Sequence, residues 1–270
     1  MQSATHQDSG PPQPQSPIET VLKRDRLVVM AGVVAVAGIA WGYLVFLAQD
    51  NDGMNMAMAQ LNSWSAGDFY LMFLMWAVMM TGMMVPSAAP MLLLFATVNR
   101  RRQEQSRPYV STGIFLSGYI TIWLGFAAVA TVGNWGLHAN DLLDKMMGGS
   151  TSGYLGGGLL LTAGIFQWSR LKYACLTQCR SPLSFLMTDW REGPGGALKM
   201  GLKHGIYCVG CCWVLMLLLF VLGVMNLLWI AALAAFVLLE KIVPGAERVS
   251  RATGSLLVLW GALMISGVVT

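Results

Sequence analysis

The sequence predicts an all-α fold: a polytopic transmembrane helix bundle of about seven spans with its N-terminus cytoplasmic. Three observations carry this. The 270 residues are 56% hydrophobic and only 11% charged, with a mean hydropathy of +0.59; apolar runs of about 20 residues recur along the chain; and the basic residues collect on alternate connections. The net charge of +4 does not point to nucleic acid, because the basic side chains sit in short runs beside apolar segments rather than on one soluble face.

Residues 1 to 20, rich in Gln, Ser and Pro, bury too little apolar surface to offset ordering entropy and are expected to form a disordered tail. Residues 21 to 270 are expected to form a single integral membrane domain. Lys23, Arg24 and Arg26 precede the first span, 27 to 47, which is longer than a signal-peptide core. Further spans are expected near 68 to 98, 110 to 134, 152 to 169, 204 to 223, 225 to 243 and 252 to 269. The second is overlong and contains Pro86 and Pro90, which predicts a kink and a part lying along the interface.

With a cytoplasmic N-terminus, every lysine and arginine except Lys145 falls on an inner segment, out of 17 in all. The outer loops hold Asp50, Asp52, Asp68, Asp141 and Asp144 instead, as the positive-inside tendency requires. All five cysteines then lie at or near the reducing face. Structural disulfides are disfavoured there, which leaves metal ligation or redox chemistry.

His204, Cys208, Cys211 and Cys212 share a helical stripe about 100° wide. Cys208 and Cys211 have the spacing of a chelating pair, and thiolate and imidazole are ligands for Cu(I) or Zn(II) rather than for Mg or Ca. Close packing by small residues is the bland alternative, but three thiols in five positions beside an imidazole make it the weaker one. Cys175 and Cys179, at i and i+4, are a second pair on the same side. Arg180, Lys172 and Lys203 lie near these thiols in sequence, where anchoring to the inner interface is the plainer reading of their charge. Glu240 and Lys241 end the sixth span, and interfacial snorkelling is their favoured reading.

Methionine supplies a second set of soft donors. Met72, Met79 and Met83 fall within about 20° of one line down the second span, flanked by Met75, Met80 and Met84. Thioether binds Cu(I) without deprotonation, although core packing explains a methionine stripe equally simply. Met54, Met56 and Met58 alternate in the polar outer loop before this span, where packing is a poor explanation. His138, Met146 and Met147 mark a later outer loop. Thioethers outside and thiols inside form the gradient that an inward Cu(I) relay needs.

Several motifs together resemble the bacterial family of predicted metal-binding integral membrane proteins: Trp76, Met79, Met80, Met83, Met84, Pro86 and Pro90; Cys175, Cys179, Arg180 and Pro182; Gly205, Cys208, Gly210, Cys211, Cys212, Trp213 and Met216; Met225 and Asn226; Glu240 and Lys241. The resemblance covers about 68 to 243 and implies a multi-pass protein of a bacterial inner membrane that binds a metal. The expected function is soft-metal binding, with Cu(I) the preferred ion and zinc compatible with the same thiols, in handling or inward transfer. A metalloenzyme or metallochaperone partner fits such a role, and self-association is compatible with it. A competing class is an enzyme or accessory subunit of a membrane metalloenzyme or thiol-disulfide system using the same cysteines.

Overall fold

A computed structural model describes residues 17–49, 65–104, 110–140, 142, 153–243 and 245–268. The described residues form helices and their connections: α1 (Pro17–Gln49), α2 (Ala66–Glu104), α3 (Thr112–Ala139), α4 (Gly153–Phe166), α5 (Arg170–Arg180), α6 (Pro182–Asp189), α7 (Gly193–Leu217), α8 (Leu219–Leu222), α9 (Leu227–Ile242) and α10 (Glu247–Ile265). The fold class is therefore all-α. Four helical stretches are long and apolar enough to cross a membrane: Arg24–Gln49, Ala66–Gln103, Thr112–Ala139 and Gly193–Leu222. Their outer faces carry exposed apolar side chains such as Leu27, Ile39, Phe46 and Val129, consistent with membrane association.

The other three expected spans coincide with α4, α9 and α10, which have 14, 16 and 19 residues. The first two are short for a 30 Å core, and the third opens with Glu247, Arg248 and Arg251. The connection between α4 and α7 folds into α5 and α6, so Cys175 and Cys179 are neighbours on a helix. Helix α1 starts at Pro17, inside the segment expected to be a tail, and residues 1–16 lie outside the described residues.

Helix α2 is the axis of the bundle. It runs as one helix of 39 residues through Pro86 and Pro90. Each proline removes a single backbone donor, and packing by α1, α3 and α9 holds the helix on both sides of the gap. At 1.5 Å per residue it is about 58 Å long, more than the roughly 30 Å hydrocarbon core of a bilayer requires. Its basic end is tied down: Arg100 pairs with Asp25 at 3.3 Å, and Arg102 reaches Glu192 at 3.2 Å while lying 4.5 Å over the Trp190 ring.

Glycine decides which helices touch α7. A Cβ on Gly118 of α3 would stand 2.5 Å from Leu198 O, and one on Gly201 of α7 would strike the Phe115 backbone. The two backbones therefore cross in direct contact. On the other side of α7, a Cβ on Gly210 would lie 2.7 Å from Cys175 Sγ of α5. Helices α4 and α10 pack by the same device through Gly157 against Gly261 and Gly164 against Gly254. Within α4 the close approach falls to Gly157 and Gly164, whereas Gly158 faces open space.

Candidate functional site

These contacts bring α5, α7 and α9 together around one buried point. The i, i+4, i+7 and i+8 spacing of the α7 stripe turns His204, Cys208, Cys211 and Cys212 inward, and all four are buried. Cys208 is the hub. Its Sγ lies 3.1 Å from Tyr119 Oη and 2.9 Å from Lys241 Nζ, while the Cys211 and Cys212 thiols donate to Cys208 O at 3.1 and 2.9 Å.

Helix α5 brings the second pair of thiols to the same place. Ser169 caps its N-terminus by accepting from Lys172 N, and the i, i+4 spacing presents Cys175 and Cys179 on one face. Interaction with the Cys208 and Cys211 side chains, then burial and the charge of Cys211, holds the Cys179 thiol well above its usual pKa. Burial first, then Cys211, pushes the Cys175 thiol up as well. All five cysteines are free thiols.

The surrounding charges are arranged differently from the sequence expectation. Glu240 and Lys241, expected to snorkel, both turn into the core. Glu240 binds Lys172 of α5, with both carboxylate oxygens within 2.8 Å of Nζ, and accepts from Ser250 Oγ at 2.5 Å. Gln167 completes the Lys172 cage. The neighbouring Lys241 takes other partners, donating to Ser87 Oγ at 2.7 Å and facing Cys208. Arg180 is spent on Val243 O at 2.6 Å and Lys203 on Asp189 at 2.6 Å. The cation at the thiols is therefore Lys241.

Sequence reasoning missed the residues that hold the hub. Tyr119 Oη donates to Met84 O at 3.0 Å, and Ser87 Oγ donates to the same carbonyl at 2.8 Å, so α2, α3, α7 and α9 are stitched at one level. A tyrosine in the middle of an apolar run and a lysine closing another were the available signals, since buried polar tips require partners. His204 lies one turn from Cys208 but packs among aromatic rings, with centroids 6.0 Å from Phe115, 5.7 Å from Tyr119 and 5.5 Å from Phe185. Its Nδ1 has no hydrogen-bond partner among the described residues. Met79, Met80, Met83 and Met84 are all buried in α2. Met54, Met56 and Met58 lie outside the described residues.

Chemically the cluster is a set of sulfur donors from two helices, with no carboxylate directed at it: Glu240 is committed to Lys172. It is not a closed cage. Among the described residues no group of three or more His, Cys, Asp or Glu side chains is arranged to hold a metal ion, and the Cys211 and Cys212 thiols turn back onto the Cys208 carbonyl. Rotation about two Cα–Cβ bonds would release them, which suits a site that loads and unloads better than a permanent structural centre.

The fold and the cluster together define a helical protein with a buried soft-donor site. The family comparison agrees: residues 73–264 match the model of the PpoB2 family, described as copper chaperone, and the chain belongs to that family. The match supports the metal-related resemblance drawn from the motifs and favours copper among the ions considered. No curated protein and no solved structure matches the chain.

Proposed function

We propose that the chain is an integral membrane protein that handles Cu(I), collecting it on thioethers at one face of the bundle and passing it to the thiols of Cys208, Cys211, Cys212, Cys175 and Cys179 at the cytoplasmic face. The observation that carries this reading is the meeting of the half-buried cysteines of α5 with the buried cysteines of α7. Sulfur-only coordination selects Cu(I) over harder ions, and membership of a copper chaperone family favours copper over zinc.

Each residue takes a role from its surroundings. Cys208, Cys211 and Cys212 supply the principal donors, and Cys175 and Cys179 reach the ion from α5. Lys241 provides positive charge that offsets thiolate charge while the site is empty. His204 is a reserve donor whose cage must open for it to reach sulfur. Met79, Met80, Met83 and Met84, with Met54, Met56 and Met58 of the preceding loop, supply neutral donors on the approach.

The deciding experiment is elemental analysis of protein purified without oxygen. Wild type should carry copper, and replacing Cys208, Cys211 and Cys212 together with Ser should remove most of it. Cells overproducing wild type should also change their copper content. Copper absent from wild type sinks the reading. The Cys179 contact with Cys208 favours one alternative, thiol-disulfide exchange; its signature would be a reversible disulfide between those two residues in metal-free protein.

A further inference from the structure

A second group of sulfur-bearing side chains, three methionines, lines a cavity toward the other end of the bundle. This cavity of about 10 Å³ is bounded by Leu44, Leu47 and Ala48 of α1, Met75 and Met79 of α2, Met225 of the α8–α9 turn, and Ile230 of α9. That is room for about one water-sized occupant. A water there would need two to four polar partners, and the side chains around it are aliphatic or thioether. In place of hydrogen-bonding groups, the lining includes three thioether side chains.

The three methionines are placed by independent features. Met75 and Met79 are one helical turn apart and share a face; both are buried. Met225 sits in a turn set by Gly223, whose φ is +93°, and by Asn226, whose backbone N–H donates to Gly223 O at 3.1 Å. The Asn226 side chain then caps α9, accepting from Leu228 N at 3.1 Å and Trp229 N at 3.4 Å. Met225 is therefore held on a pinned turn, and it is the half-buried member of the trio. From Met75 to Met84, whose carbonyl anchors Tyr119 beside Cys208, α2 rises about 13.5 Å.

We propose that Met75, Met79 and Met225 form a three-thioether Cu(I) site, separate from the thiol cluster and positioned to receive the ion before it moves along α2. This rests on the copper-handling reading above and adds to it a particular entry site. Three neutral donors bind Cu(I) without releasing a proton. The helix N-terminus next to Met225 carries partial positive charge, which keeps binding weak. Weak, proton-free binding suits an ion that must be passed on.

The test uses full-length protein titrated anaerobically with Cu(I) and measured for stoichiometry and for its sulfur shell by X-ray absorption. A variant with all five cysteines changed to Ser should still bind about one Cu(I) per chain with sulfur neighbours only, and should lose it when Met75→Leu, Met79→Leu and Met225→Leu are added. In the background with native thiols, the same three Leu substitutions should lower stoichiometry by about one ion; because Met-to-Leu changes conserve volume, the fold should survive, as the helical circular dichroism would verify. A wild type that binds copper beside a folded cysteine-free variant that binds none overturns this site and leaves the thiol reading intact. Unchanged stoichiometry after the Leu substitutions also overturns it. Copper in no variant, wild type included, overturns both readings.

Discussion

The two sulfur clusters of this bundle contrast in almost every physical respect except the element they use. The thioether cavity is apolar, built on one long helix and a pinned turn, and contains no titratable group. The thiol cluster draws from two helices and sits against the Lys241 ammonium, with the Lys172–Glu240 pair behind it. A neutral donor needs only shape around it. An ionisable donor needs its charge balanced inside a medium that penalises charge. The difference teaches that the buried charged residues among those described, Lys172, Glu240 and Lys241, gather at the end where sulfur can ionise.

Removing the charge balance should therefore have the largest effect. Glu240→Ala leaves Lys172 buried without its counterion, which should cost about 3–5 kcal/mol; thermal unfolding of the detergent-solubilised protein would show it, and no comparable loss should follow Met75→Leu. Next comes pH. The raised thiols of Cys175 and Cys179 hold their protons near neutrality, so each one recruited by copper must release a proton. Affinity at the thiol end should rise with pH by up to about tenfold per unit for each thiol recruited. Affinity of the cysteine-free variant should stay flat over the same range, as competition titrations at several pH values would reveal.

A smaller effect is expected at the α5–α7 contact. Gly210→Ala places a Cβ 2.7 Å from Cys175 Sγ and should destabilise by about 1–3 kcal/mol. Adding Cys175→Ala should restore much of that loss, and a double-mutant cycle on melting temperature measures the coupling. The smallest effect is expected for Met91→Leu, a buried methionine that belongs to neither cluster. It should change stability by less than about 1.5 kcal/mol and leave copper stoichiometry unaltered.

Much of the α7 half of the thiol site was legible in the chain, because a helix converts spacing into facing directly. Cys208, Cys211 and Cys212 had to share a stripe once that segment was apolar and long. The partner of the stripe was not legible. Gly118, Gly201 and Gly210 choose the neighbours of α7 through backbone contacts, and periodicity does not show which glycine meets which helix. Lys172, Arg180 and Lys203 are near the thiols in sequence, yet the cation that arrives is Lys241, some thirty positions from Cys208.

The sequence by itself determined that the chain is helical and apolar, where the long helices run, and that its soft donors come in a thiol group and a methionine group. Those follow from local hydrophobicity and from the 3.6-residue repeat, which act within a segment. Only the tertiary structure decided that α2 passes unbroken through two prolines, that His204 faces aromatic rings, that Glu240 and Lys241 part company, and that Met225 joins Met75 and Met79. These depend on packing between distant segments, where a few ångströms of backbone separation select the partners.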